Sequence, residues 1–460
     1  MHAISSINRS TKLRNIVVAA FGSVVLVGSI SSFAANDVKA SILGTPDQKA
    51  VESLAIKLLS APEVKKQKEE TLKLLQSDAT AKTEDGKKTL RNAVDELAFA
   101  ATLGAANGDP THPKLTWAYT APRTWLGHKV PGSRWGIDNP DNVYRFITVD
   151  GASKYEITGK LKQPGPVQFS FLLYDTYFGE NTKQKNLDEP IAGLRDRDIK
   201  VESDGSFKII VDNEPGNGRV NHIQSNGDAK ILLVRNTFND WGKQTPIPVE
   251  IKRIGGSDEA KLATDKELAQ KAADYLKAGT QTLLKFKDAG GLLAAEPNKL
   301  NKPFVRGGGW GFGSNGAFKL AKDEALLLTL DPLGAKYLSL DITDPWLVSR
   351  EHVRANGNLN NIAAQANKDG TFTYVISAKD PGIQNWLDTS GLHEGNIFIR
   401  WQALPETTKA ADGAVREVKL VKLNDLGKLL PPEATKVTAQ ERKKQYDLRA
   451  ASYSHRYTVE

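Results

Sequence analysis

The chain has no cysteine among its 460 residues. Disulfides, Cys-type zinc sites and thiol nucleophiles are thereby excluded. The fold must rest on buried apolar surface, which a chain this long can supply. Dense lysine or arginine blocks are missing too. The net charge of +8 is spread thinly, which supports solubility and argues against nucleic acid as a partner. There is no His-Glu-x-x-His, and the histidines at 112, 128, 222, 352, 393 and 455 are scattered. Neither a metal nor a cofactor is expected from that pattern. Past the N-terminus, no apolar run reaches the roughly 20 residues that span a bilayer.

What is present begins with a leader. Arg9, Lys12 and Arg14 precede the apolar run "IVVAAFGSVVLVGSI", and Ser32 and Ala34 put small side chains at the −3 and −1 positions. This reads as a secretory signal peptide over residues 1–34. The mature protein is expected to be periplasmic or secreted, with no integral membrane span. Loss of the three basic residues takes the charge from +8 to +5.

Two kinds of periodicity follow. Residues 46–110 read as helical, with Val51, Leu54, Leu58 and Leu59 on one face and Pro62 as an interruption. Leu90, Val94, Leu97, Ala98 and Ala101 then recur at helical spacing. From Trp117 the residues alternate as in β-strands. "VYRFITVDGASKYEITG" and "IKVESDGSFKIIVD" carry hairpin signals at Asp150-Gly151 and Asp204-Gly205. Residues 255–300 return to helix as a linker, with Leu262, Leu268, Ala272, Tyr275, Leu276 and Leu283 as its apolar face and Ser257 or Asp258 as its cap. Strands resume over 301–405, and a charged extension occupies 406–460.

The two β regions repeat each other. Asp204-Gly205 pairs with Asp369-Gly370, and Glu214-Pro-Gly pairs with Asp380-Pro-Gly. Asn221, Arg235 and Asp175 likewise pair with Asn385, Arg400 and Asp344. The fold expected is mainly β with α additions. Two antiparallel β-sandwich units of jelly-roll type, at 117–254 and 301–405, stand beside a helical N-terminal segment and a helical linker.

Candidate site residues cluster in three places. "DPGIQNWLDTSGLHEGNIFIRW" brings Asn385, Trp386, Asp388, His393 and Arg400 together, with Asp344 and Trp346 upstream. Its Asp-Pro-Gly is first a turn. In its strand, Ile397, Ile399 and Trp401 should point one way and Phe398 and Arg400 the other. A buried Arg400 needs an acid, for which Asp388 or Asp344 could serve. Asp388, Ser390 and His393 lie on one loop, whereas triad members converge from separate elements. The second place is "WLGHKVPGSRWGIDNPDNVYRF", with Trp135, Asp138 and Asp141, and with Trp125, His128, Arg134, Tyr144 and Arg145 nearby. The third is "RGGGWGFGSNG", with Arg306 and Trp310. It matches Gly-x-Gly-x-x-Gly without a βαβ context and reads as a loop entering a strand. Tryptophan faces beside acids, amides and arginines suit a small-molecule or glycan ligand.

"DNPDNVYRF", "DPGIQNWLDTSG" and "GNIFIRWQ", with the paired Asp-Gly turns, resemble bacterial proteins carrying the domain of unknown function 1214. The resemblance spans about 120–405. It implies largely antiparallel, jelly-roll-like β structure, often exported or envelope-associated. It brings no established reaction and no catalytic residues. The function expected is therefore a periplasmic binding or accessory role toward a partly apolar, hydroxyl-bearing ligand of glycan or lipid origin. A hydrolase or lyase using Asp and His, or a purely structural envelope protein, are the alternatives.

Overall fold

A computed structural model describes residues 41–180, 182, 189–256, 262–288 and 295–457; the leader expected over 1–34 lies outside them. The helical prefix forms α1 (Pro46–Leu58), α2 (Pro62–Ser77) and α3 (Glu84–Ala106). Thr45 and Thr83 accept the N–H of Gln48 and Gly86, satisfying donors that a first helical turn leaves open. Pro62 opens α2, where its missing N–H is harmless. The linker forms α4 (Asp265–Lys287), and Leu97, Ala98 and Ala101 of α3 pack on Ala272, Tyr275 and Leu276. Its cap is Thr264, in a reciprocal pair with Glu267. Ser257 and Asp258 lie outside the described residues. Leu262, 75% exposed, precedes the helix and takes no part in its apolar face.

The first β region runs β1 (Thr116–Ala118), β2 (Arg123–Trp125), β3 (His128–Val130), β4 (Asn142–Thr148), β5 (Lys154–Lys160) and β6 (Gln168–Tyr174). It continues with β7 (Ala192–Arg195), β8 (Ser206–Asp212), β9 (His222–Gln224), β10 (Ile231–Thr237) and β11 (Val249–Ile254). The second runs β12 (Lys299–Leu300), β13 (Phe304–Val305), β14 (Phe312–Lys319), β15 (Glu324–Leu330) and β16 (Tyr337–Thr343). After these come β17 (Asn358–Asn360), β18 (Phe372–Ser377), β19 (Trp386–Asp388), β20 (Glu394–Gln402) and β21 (Val415–Lys422). Two short helices end the chain, α5 (Leu426–Leu429) and α6 (Ala439–Ser454).

Strand order displays the duplication. The first region has sheets β1-β4-β10-β6-β7 and β11-β5-β8-β9; the second has β12-β14-β20-β16-β17 and β21-β15-β18-β19. The orders match strand for strand, except that β13 also pairs with β14 in the second region. Pairing is antiparallel except β8 with β9 and β18 with β19, which are parallel in both copies. Each pair of sheets encloses its own core. Phe171, Leu173, Leu232 and Val234 meet Ile157, Ile209 and Val211 in one; Leu340, Ile397, Ile399 and Trp401 meet Leu326, Tyr374 and Ile376 in the other.

The repeated landmarks are fold devices. Asn221 brackets Lys200, its side chain accepting that residue's N–H at 2.7 Å and donating to its carbonyl at 2.8 Å. Asn385 brackets Gln365 the same way, at 2.7 Å each. Both Asp-Gly turns place the glycine at positive φ, +86° at Gly205 and +83° at Gly370.

Four expectations change. The Asp150-Gly151 stretch is not a hairpin, because β4 pairs with β1 and β10 whereas β5 pairs with β8 and β11. Asp150 holds a turn that carries the chain between sheets, accepting from Ala152 N–H and Ser153 Oγ. Alternation identifies a strand without naming its neighbour. Asp204-Gly205 likewise closes only a short turn ahead of β8, with Glu202 N–H on the Ser206 carbonyl at 2.8 Å. "GFGSNG" lies mostly within β14. Finally, the second sandwich takes its edge strand β21 from beyond residue 405, so the charged extension is partly sheet.

Candidate functional site

The larger sheets of the two sandwiches are covered on both faces. All seven residues of β4, β6 and β16 are buried, although alternation gives only one face of each strand to the sandwich core. The other face of the first sheet carries Tyr144, Phe146, Leu172, Tyr174 and Leu233, packed with Phe99 and Leu103 of α3 and with Trp310. Arg235 and Arg400 stand at matching stations of β10 and β20, opposite Ser170 and Ser339.

Between the two regions lies a cavity of about 200 Å³. Tyr144, Phe146, Tyr174, Ile231, Leu233 and Arg235 form its first-region wall; Phe304, Arg306, Phe398 and Arg400 form the second. Tyr119, the segment Trp135–Asp138, Thr176–Gly179 and Phe286 of α4 complete it. It is an aromatic chamber with three guanidinium groups and one carboxylate.

Local backbone geometry aims the polar groups. Gly136 and Ile137 both have positive φ, +64° and +60°. Glycine accepts this freely, but a β-branched residue there is strained. The strain is held by Ile137 N–H on the Leu347 carbonyl at 3.1 Å, and the Ile137 carbonyl accepts from Arg400 Nη2 at 2.8 Å. Asp138 follows directly. Its Oδ2 accepts from Ser349 Oγ at 2.9 Å, while its buried Oδ1 has no partner among the described residues. Burial pushes this carboxyl up to about 7, against the pull of Arg134. Arg134 is committed elsewhere, to both carboxylate oxygens of Glu96 and to the Ser349 carbonyl.

The two matching arginines differ in their partners. Arg400 is ion-paired with Asp341 and lies 4.5 Å from the Phe398 ring centroid. Arg235 lies over aromatic faces, 4.9 Å from Trp310 and 5.7 Å from Tyr144. Nε of neither arginine has a hydrogen-bond partner, but Arg235 also has no carboxylate at ion-pair distance, among the described residues. Burial pushes the neighbouring Tyr119 hydroxyl up and that of Tyr177 to about 12, so both are neutral donors.

Of the residues named from sequence, Trp135, Asp138, Arg306 and Arg400 line this cavity. Trp310 stands just behind it, under Arg235. The others are brought elsewhere. Asp141 is enclosed by Tyr337 Oη, Trp241 Nε1 and Asn360 Nδ2 at 2.7–3.0 Å. Asp344 accepts from Trp346 and Val348 N–H, and Trp346 Nε1 donates to the Gly86 carbonyl. Trp386 Nε1 donates to Ser377, with Arg442 of α6 over its ring. Asp388 meets Ser390 N–H and Tyr446 Oη, and His393 Nδ1 donates to the Leu320 carbonyl. With Asn385 they serve packing and turns. The acid for Arg400 is Asp341 rather than Asp388 or Asp344, because Asp341 projects from the same outer face of the adjacent strand β16. Arg235, Tyr119 and Phe398 were not candidates, and Tyr144 was named only as a neighbour of the Asp138 turn. The pairing of Arg235 with Arg400 in the repeat was the signal available for the first.

Residues 147–238 match the family model described as Protein of unknown function (DUF1214). The resemblance therefore holds over 147–238, a segment of the first β region, whereas the three motifs quoted for it lie outside the matched residues. No curated protein matches. The crystal structure of an uncharacterized protein from Burkholderia cenocepacia is 24% identical, covers 81% of this chain and 100% of its own, and has a TM-score of 0.62. The likeness is one of fold. The VPA0106 protein from Vibrio parahaemolyticus, at 12% identity over 72% of this chain and 98% of its own, has a TM-score of 0.38.

Proposed function

We propose that this is an exported binding protein that holds a small, partly apolar, hydroxyl-bearing ligand between its two β-sandwiches. The observation that carries this reading is the convergence of Trp135, Asp138, Arg235, Arg306 and Arg400 on one aromatic-walled cavity. A binding site needs apolar area and a few polar groups that orient the ligand. A cavity of about 150 Å³ admits benzene, so about 200 Å³ suits one ring or a short chain with a polar end. A whole oligosaccharide or lipid exceeds it, and a glycan- or lipid-derived unit does not. The export half of the reading rests on the leader.

A purely structural protein gains nothing from an unpartnered buried carboxylate oxygen in the same cavity as an arginine without an acid, since both cost stability. The hydrolase or lyase alternative has one acid–base group here. Asp138 is the carboxylate lining the cavity, and no histidine lines it among the described residues.

Native mass spectrometry of the protein isolated from its own cells tests the proposal. A bound small molecule is expected, and Leu233→Trp, which fills the chamber, should expel it. Retention of the molecule by a folded Leu233→Trp protein would place it elsewhere.

A further inference from the structure

We infer that the ligand is a small carboxylate on a single ring or short apolar chain, and that Arg235 receives its carboxylate. This rests on the cavity being a ligand site. The argument comes from the two copies of the same strand pair. Arg400 faces Ser339 across β20 and β16, and two residues along β16 stands its counter-ion, Asp341. Arg235 faces Ser170 across β10 and β6, and two residues along β6 stands Leu172. The first copy thus has the arginine without the acid. Trp310 and Tyr144 hold the guanidinium by its ring-like surface, and stacking leaves the in-plane N–H donors available. A carboxylate satisfies those donors in a bidentate pair that a neutral oxygen cannot match.

The rest of the chamber agrees. Arg400 is neutralised by Asp341, so it does not compete for the ligand's charge. Asp138 Oδ1 is unpartnered, and the residue is only 4% exposed. It can accept from a hydroxyl at the far end of the ligand. A ring carrying a carboxylate at one end and a hydroxyl at the other fits both groups.

Calorimetric titration with three probes tests this: 4-hydroxybenzoate, benzoate and neutral 4-hydroxybenzyl alcohol. In the wild-type protein 4-hydroxybenzoate should bind at least about tenfold more tightly than the alcohol, as expected of a charge-assisted pair. Arg235→Gln should abolish that preference. Arg235→Lys, which keeps the charge without the fork, should retain part of it. The wild-type preference needs no variant and so survives any folding defect in them. Equal binding of alcohol and carboxylate overturns the carboxylate assignment while the cavity reading stands. Absence of binding by all three up to roughly 10 mM, an affinity of under 3 kcal/mol, overturns both.

Discussion

The two β regions share strand order, parallel β8–β9 and β18–β19 pairs, and the bracketing Asn221 and Asn385, but they differ on the faces they turn toward each other. On the second region's face Asp341 is ion-paired with Arg400 and Tyr337 reaches Asp141, although Asp341 Oδ1 and Arg400 Nε have no hydrogen-bond partner among the described residues. The first region's face carries Tyr144, Phe146, Leu172 and Leu233 around an Arg235 that lacks an acid. One copy's arginine therefore has its acid and the other's does not. Features common to both copies build the sandwich, and the feature that differs builds the cavity.

The sharpest way to break this comparison is to truncate the two arginines in parallel. Arg400→Ala leaves Asp341 buried without its partner and should cost about 3–5 kcal/mol, read from urea midpoints. Arg235→Ala removes only aromatic contacts and should cost about 1 kcal/mol or less. Equal losses would show that both arginines are struts.

A pH series addresses the carboxylate between the two walls. Asp138 is raised from an ordinary 3.8 to about 7 in the folded protein, so the native state holds a proton that the unfolded chain has released. Stability from this group is present in full below about pH 4 and is lost as pH rises toward 7. At 1.36 kcal/mol per unit, the whole shift amounts to about 4 kcal/mol. Asp138→Asn should flatten the decline between pH 5 and 8; an unchanged slope would assign it to other groups.

A smaller contrast concerns the shared asparagines. Asn385 is buried and donates to Gln365 and Thr373 carbonyls, so Asn385→Ala should cost about 1–3 kcal/mol. Asn221 makes its bonds at the exposed end of the first sandwich. Asn221→Gly, which preserves its positive φ of +51°, should cost about 1 kcal/mol or less.

Much of this architecture was legible in the sequence, and the reasons are specific. Period-two alternation in "GNIFIRWQ" places Ile397, Ile399 and Trp401 in the core and Phe398 and Arg400 opposite, as the structure has them. The Asp-Gly, Asn and Arg landmarks revealed the repeat. Alternation does not tell what covers a strand's other face, so the site between two outer faces was out of reach. Nor could it tell that β4 and β5 belong to different sheets. The density of Asn385, Trp386, Asp388 and His393 reflects a turn and a short parallel strand whose groups bond to nearby backbone. Trp135, Asp138, Arg306 and Arg400 come from distant segments, and only the packing of the two regions brings them together.

The most direct measurement is anomalous diffraction at the bromine edge from crystals soaked in 4-bromobenzoate. The account predicts a bromine peak inside the chamber lined by Tyr144 and Phe398, with carboxylate density on Arg235. A peak outside the chamber, or none at saturating concentration, would contradict it.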